Sequence, residues 1–417
     1  MYMLNPLTGK TIFVQIASFR DSQLLPTLKD MLNKADEPEN LKICICWQHS
    51  EEDEWDTLSE YKNDDRFIII DIKAEESKGV CWARHLIQQK YNNEDFTLQL
   101  DSHHRFVKHW DTELKNEILQ LQLHGYKKPL LTGYITSFHP SLPKTEWGKD
   151  PWQMVFDRFT PEGVVFFKPS TVPDWETRTM PIKGRFYSAH FAFTVGKFCK
   201  EVPHDPRYYF HGEEITIGVR AFTHGYDIFH PHRIVAYHEF SRDYRPDKHW
   251  DTYTEWGKHN AETYGLMKSL LGIDGESCSD AEKYGKYGLG NKRSIEDWQI
   301  FAGVNFSNRT VQQETIDGCI PPNDPDGNWS KFYKHCLNID KDKIPQDNIE
   351  YIVVALHDKD DNTVYRKDIS GEELNAILSG DIINIWVEGE LTTMPDYYVV
   401  WPYSTIDGWC ERLTGNL

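Results

Sequence analysis

The sequence is short of several features at once. It has no run of 18 or more apolar residues, so no segment reads as a membrane span. Its start, MYMLNPLTGK, lacks the basic, apolar and small-residue stretches of a secretory signal. The eight cysteines, at 44, 46, 81, 199, 278, 319, 336 and 410, include no CxxC pair and are too sparse for a disulfide framework. There is no basic excess either. Against 65 Asp and Glu stand 46 Lys and Arg, a formal net charge of -19, which opposes a nonspecific grip on nucleic acid or anionic lipid. Together these absences describe a cytoplasmic globular protein with reduced thiols, and leave room for a local basic pocket that takes a small phosphorylated ligand.

What the chain does have is length and order. Its 417 residues, 39% hydrophobic, suffice for one large core or two modest ones. Over the first 110 residues short apolar runs alternate with amphipathic segments, as a parallel sheet with crossover helices requires. TIFVQIAS, LKICICWQ, RFIIIDI and DFTLQLD read as strands, while SQLLPTLKDMLNKA and KGVCWARHLIQQKY read as helices. HSEEDEWDTLSEYKNDD is a solvated connection. Such a nucleotide-type α/β half binds its ligand at the carboxyl ends of the strands. Cys44 and Cys46 face one side of their strand; packing and a zinc pair are the two readings, and packing is preferred because no second pair exists.

From about 125 to 265 long loops rich in aromatics, Pro and Gly take over, of the kind that builds binding sites. Within them a helix is expected from Glu213 to Gly225, with Ile215, Val219 and Phe222 as its apolar stripe, followed by a strand. Residues 271–340 are polar and Gly/Pro-rich apart from a short helical piece at IEDWQIFAGV, and read as a bridging region. From 341 to 417 short β-branched and aromatic runs such as EYIVVALHD and DYYVVWPY give a small, mainly-β accessory domain.

The densest chemistry is FTLQLDSHHRF at 96–106. On a strand, Asp101 and His103 project together while Ser102 points away. A carboxylate with an imidazole suits Mn²⁺ or another divalent ion, which can hold a diphosphate and neutralise the charge that develops as it leaves. The same triplet also fits a polar turn. Glu213 and Glu214 can accept hydrogen bonds from sugar hydroxyls, and equally favour a helix dipole. Arg84 fits a surface cation on a helix, and His238 a buried histidine satisfied by a neighbour. Trp152, Phe186, Tyr187, His190 and Trp250 lie in loops that flank such a site. In GRFYSAHFAF, Phe191 and Phe193 are expected to pack, with Ser188 and His190 on the opposite side.

The ordered segments VQIASFRD, KGVCWARHLI, LQLDSHHRF, HGEEITIGVRAFTHGYD and YHEFSRD resemble a glycosyltransferase of the GT-A type. More narrowly, residues 10–270 resemble the GlcNAc-transferase family whose eukaryotic members modify a hydroxyproline of the ubiquitin-ligase adaptor protein, and which has bacterial relatives. The resemblance implies a GT-A fold with a Rossmann-like sheet over 1–270. It makes Asp101 and His103 a D-x-H form of the D-x-D motif, with His238 as the third metal ligand and Mn²⁺ or Mg²⁺ as the ion. Arg20 and Asp21 fall where uracil and ribose are held, with Ser102 toward the ribose and Arg84 near sugar and diphosphate. The Gly-Glu-Glu segment carries the sugar-binding or catalytic carboxylate, Glu213 being placed ahead of Glu214.

The implied reaction moves GlcNAc from UDP-GlcNAc to a hydroxyl of a peptide (hydroxyproline, Ser or Thr) or of a glycan, with retention. The tail is expected to recruit acceptor or join copies into a homo-oligomer; no nucleic-acid partner is expected. Two other readings are a carbohydrate- or protein-binding module without turnover and a metallohydrolase. The latter needs HExxH, but HEFSRD has Arg242 where the second His belongs.

Overall fold

The computed structural model describes residues 7–55, 57–241, 248–276, 281–345, 347–380, 382–391 and 393–417. Its first hundred residues follow the alternation of the sequence: β1 (Ile12–Phe19), α1 (Leu24–Lys34), β2 (Leu41–His49), β3 (Phe67–Lys73), α2 (Val80–Gln88) and β4 (Phe96–Asp101). β1, β2 and β4 are apolar almost throughout because both faces of the sheet are covered. Alternate side chains go to opposite sides. Ile12, Val14, Ile16, Ile43 and Ile45 pack with Leu24, Leu28 and Met31 of α1, whereas Phe13, Cys44 and Cys46 meet Ala83 and Ile87 of α2. Cys44 and Cys46 are therefore core residues, as the packing reading expects, and burial pushes both thiols up to about 12.

The parallel order is β3-β2-β1-β4, with Ala17 of β1 level with Asp101 of β4. The chain then leaves the sheet through β5 (His104–Phe106) and α3 (Trp110–Leu123), and returns as β6 (Pro129–Thr132). A separate hairpin, β7 (Trp152–Phe159) and β8 (Val165–Thr171), precedes the edge strand β9 (Ile182–Lys183). β10 (Phe191–Val195) inserts antiparallel between β4 and β6. After a short α4 (Phe198–Glu201) come α5 (Glu213–Thr223), β11 (Asp227–His230) and β12 (Ala236–His238). β11 extends the sheet and β12 pairs with β5 outside it. The expected helix and following strand are thus present, with Ile215, Val219 and Phe222 buried in one cluster.

The chain continues through α6 (His249–Thr252), α7 (Trp256–Leu271), α8 (Ala281–Tyr284) and α9 (Ile295–Ala302). Helix α9 starts on a capping box, Ser294 with Asp297. Trp298 is fully buried and stacks on Phe306 at 5.2 Å, within the cluster that holds the α5 stripe and Met267 of α7. Composition makes this stretch look like a bridge, yet a few large apolar residues within it pack against the helices that carry the site. β13 (Val304–Asn305), β14 (Thr310–Gln312) and β15 (Trp329–Ser330) form a small sheet, with α10 (Gln313–Ile316) between the last two.

The last part is β-rich: β16 (Phe332–Ile339), β17 (Ile349–His357), β18 (Thr363–Ser370), β19 (Ile383–Glu390), β20 (Tyr397–Ser404), β21 (Gly408–Trp409) and β22 (Leu413–Asn416). β16 pairs with β19, so the chain joins this unit before residue 341. One helix, α11 (Gly371–Ser379), lies between β18 and β19, its Leu374 in the core. The expected class, an α/β Rossmann-like sheet followed by a small mainly-β part, is the class observed. No helix among the described residues is long and apolar enough to cross a membrane.

Candidate active site

The sheet order reverses direction between β1 and β4, the switch point where open α/β sheets bind ligands. A crevice of about 350 Å³ opens there. Asp101, Ser102 and His103 form its floor, Glu213 and Glu214 one wall, and His190 and His238 another.

The floor is built by a strand that stops. β4 ends at Asp101, and after two intervening residues the chain enters β5, which pairs His104 with His238 of β12. This brings Asp101, His103 and His238 together from distant parts of the sequence. Asp101 Oδ2 lies 3.8 Å from His103 Nε2 and 3.5 Å from His238 Nε2, and one donor atom from each of the three residues lies within 4.8 Å of the others. His103 is oriented from behind, since its Nδ1 meets Asp21 Oδ2 at 2.8 Å. Ser102 Oγ donates to that same oxygen at 2.5 Å. Ser102 therefore shares its anchor with His103 and does not point away from it. The strand alternation that predicts otherwise no longer applies once β4 has ended.

Neither buried ring nitrogen of His238 makes a well-formed hydrogen bond, Nε2 only facing Asp101 Oδ2 at 3.5 Å, which is costly unless something else satisfies them. Its ring is fixed by stacking on His190, centroids 4.2 Å apart and planes 15° from parallel. Burial and the neighbouring His190 hold His238 well below its ordinary pKa. Burial acts to raise the Asp101 carboxyl, but contact with His238 and the Arg84 charge outweigh it and keep the group ionised. A neutral imidazole and an ionised carboxylate are the forms that bind a divalent ion. The Asp21 carboxylate behind His103 is the usual support for a ligating histidine. The residues present fit such an ion.

A second network runs beneath the wall. Arg84, on α2, is buried and bonds Glu213 Oε1, Asp101 Oδ1 (2.8 Å) and the Ala189 carbonyl (3.0 Å). Its position depends on Gly79, which caps α2 at φ +103; a Cβ there would stand 2.9 Å from the Tyr209 ring. Glu213 begins α5 and is fully engaged: Cys81 Sγ donates to its Oε2 at 2.7 Å, and His204 Nδ1 lies 3.4 Å from the same oxygen. Burial disfavours the Glu213 anion, but Arg84 and His204 more than compensate, and its pKa falls to about 2. Glu214 differs. Burial raises it to about 7, against a single Ala189 N–H donated to its Oε1 at 2.8 Å. Two adjacent carboxyls thus have pKa values pushed apart by their surroundings, a common arrangement where acids have different tasks.

Other expected residues are dispersed. Arg20, with φ +44, pairs through Nε and Nη2 with Asp53 at 2.6 and 3.0 Å, and is not part of the crevice wall. Asp21 is buried behind His103. His190 and Trp250 line the crevice, Phe186 and Tyr187 lie in the core, and Trp152 sits outside the wall against Phe240. Phe191 and Phe193 pack on the sheet, while Ser188 bonds His190 at 3.0 Å on the other side. Cys81, His204 and Asp53 were not anticipated. Cys81 had a signal, three residues from Arg84 on one helix face; the other two lie in loops without periodicity. Arg242, Asp243 and Cys278 lie outside the described residues.

Fold and crevice define the class as an open, largely parallel α/β sheet that carries a ligand crevice at its switch point. The chain belongs to the glycosyltransferase (GlcNAc) family, whose model matches residues 11–66 and 59–308. Among solved structures it is similar to GalNAc-T7 with UDP, GalNAc and Mn²⁺, at 14% identity and a TM-score of 0.43, over 70% of this chain and 54% of that one. The chain thus spans about half the length of GalNAc-T7. It is also similar to S. aureus TarS 1–349 in complex with UDP-GlcNAc, at 11% identity and a TM-score of 0.37, over 66% of this chain and 78% of that one. TarS without that truncation matches at 10% identity and a TM-score of 0.35, over 97% of this chain and 77% of that one. No curated protein is matched by the chain.

Proposed function

We propose that the protein transfers GlcNAc from UDP-GlcNAc to a hydroxyl acceptor, with retention of anomeric configuration. The observation that carries this reading is the meeting of Asp101, His103 and His238 at the switch point. These three residues hold Mn²⁺ or Mg²⁺, which when bound neutralises the negative charge of the donor diphosphate. Asp21 fixes the His103 ring, and the Ser102 hydroxyl holds Asp21 in turn. Arg20, at the end of β1, belongs to the nucleotide end of the site, where it orders the loop through Asp53.

Arg84 contributes a permanent positive charge beside the sugar and diphosphate, since Glu213 and Asp101 keep it protonated against the effect of burial. Glu213 is an anion that positions Arg84, while Glu214 offers its carboxyl to the sugar hydroxyls. The N-termini of α2 and α5 both reach the crevice wall, where their N–H groups favour bound anions. A retaining transfer attacks from the face the leaving group departs and needs no separately positioned base.

The acceptor class follows the resemblance to enzymes that modify hydroxyproline, and extends to Ser, Thr and glycan hydroxyls. Residues 1–270 are the catalytic domain, 271–340 a connection, and 341–417 an accessory domain, joined by β16, for acceptor recruitment or self-association. The described cysteines are unpaired, which supports a cytoplasmic location.

UDP release tests the reading. Wild-type protein given UDP-GlcNAc and Mn²⁺ should release UDP, and Asp101→Ala, folded by circular dichroism, should lose nearly all of it. A folded variant that turns over donor at the wild-type rate excludes the site. An NMR coupling constant showing a β-linked first product would sink retention.

A further inference from the structure

The C-terminal sheet carries aromatic rings that its own core does not use. Along β17 and β20, Ile352, Val354, Leu356 and Val400 point inward and fill the apolar cluster. The opposite alternation presents Tyr351, Tyr403 and Trp401 on the outer face, and β21 adds Trp409. Tyr351 and Tyr403 are register partners with rings 5.1 Å apart and 12° from parallel. Trp409, 45% exposed, stands at 88° to Tyr351 and 4.3 Å from Trp401. Trp401 is held by its Nε1–H, which donates to the Cys410 carbonyl at 2.9 Å. On the adjoining strand Arg366 and Asp368 share this face, opposite Ala355 and Val353. They pair at 3.1 Å and both remain exposed.

The water-facing side of such a sheet is ordinarily polar. Val353, Ala355 and Val399 share this face and are buried, and the ring area left exposed beyond them marks a contact surface. Two features select the occupant. Trp409 stands nearly perpendicular to the stacked Tyr351 and Tyr403 beside exposed donors and acceptors, which suits a ligand with apolar faces and hydroxyl edges. A pyranose has both: its polarised C–H bonds are attracted to the negative face of an aromatic ring, and its hydroxyls need polar partners at the ring edges. Charge then removes competitors. The chain carries a net -19, and at this face Asp407 and Glu411 stand against Arg412 while Arg366 is paired with Asp368, so an anionic polymer or a second copy meets net repulsion while a neutral polyol does not.

We propose that the outer face formed by Tyr351, Trp401, Tyr403 and Trp409 is a binding site for a neutral pyranose oligosaccharide. It stands independently of the transfer reaction; in combination with it, the site would bring a glycan acceptor to the enzyme. The full chain is tested on an immobilised panel of neutral and anionic hexasaccharides, with (GlcNAc)6 and cellohexaose also titrated in solution by tryptophan fluorescence. Wild type should retain neutral members and saturate with at least one of them. Trp409→Ala and Tyr351→Ala should each weaken that binding by about tenfold or more, and Trp409→Phe by far less. UDP release by Trp409→Ala should equal that of wild type.

Retention of no neutral sugar, or binding unchanged by both alanine variants, overturns the site. So does a Trp409→Ala variant that only lowers the sedimentation mass, since the face would then be a contact between copies. Donor turnover that fails while sugar binding persists damages only the transfer reading.

Discussion

The crevice and the C-terminal sheet handle polar groups in opposite ways. Around the crevice Asp21, Arg84, His103, His204 and Glu213 are all buried and linked through shared partners. From Phe332 onward, apart from the Tyr333 phenol, Asp358 and Ser404 are the only buried polar side chains among the described residues. A dry core can specify a fold on its own, whereas a network of buried charges gives up stability and persists where its chemistry is needed. The first region is built around a reaction, while the second keeps its chemistry on the outside.

Arg84→Met should have the largest effect. It strands two carboxylates, one of them fully buried, and breaking a buried pair on one side costs about 3–5 kcal/mol. Urea unfolding measures it, and a loss below about 1 kcal/mol would mean the network is not coupled as its geometry indicates. Leu356→Ala, in the dry core, should cost about 2–5 kcal/mol yet leave UDP release intact below the unfolding transition. A parallel fall in UDP release would break the contrast between the regions. Asp21→Asn should be milder, weakening Mn²⁺ affinity about 10–100-fold by loosening the His103 ring, as followed by Mn²⁺ electron paramagnetic resonance. Unchanged affinity would leave Asp21 as a loop anchor only.

The parts of this contrast that could be read in the sequence are those with a period. β1 to β4 and α5 announce themselves through apolar spacing, and the D-x-H triplet is visible because it interrupts a strand. His238 comes to that triplet only through the β5–β12 pairing, three residues long on each strand, and was reached by resemblance. Ser102 departs from strand alternation because alternation is a property of strands and β4 stops one residue earlier. Residues 271–340 look polar because the average hides Trp298, Phe306 and Val311, which anchor the segment in the core beside α5. Arg20 shows the reverse: the cation at the strand end is legible, but Asp53, which holds it, comes from a loop without pattern.

The smallest effect should come from Glu214, and it separates the two carboxyls of the wall. Burial disfavours its charged form more than the Ala189 N–H favours it, so its pKa rises from an ordinary value near 4.5 to about 7. Between those values the folded protein holds a proton that the unfolded chain has released. This group therefore contributes stability below about pH 4.5 that is lost as pH rises through about 7. Activity should run the other way. If the ionised carboxylate accepts the sugar hydroxyls, kcat/KM for UDP release should climb about tenfold per pH unit and level off near pH 7. Glu214→Gln cannot ionise, so its profile should lose that inflection and stay at the low rate the wild type shows when Glu214 is protonated. Glu213, held near 2 by Arg84 and His204, has no titration in this range. A profile that inflects near 7 in Glu214→Gln and loses the inflection in Glu213→Gln would reverse the assignment, making Glu213 the carboxyl that meets the sugar.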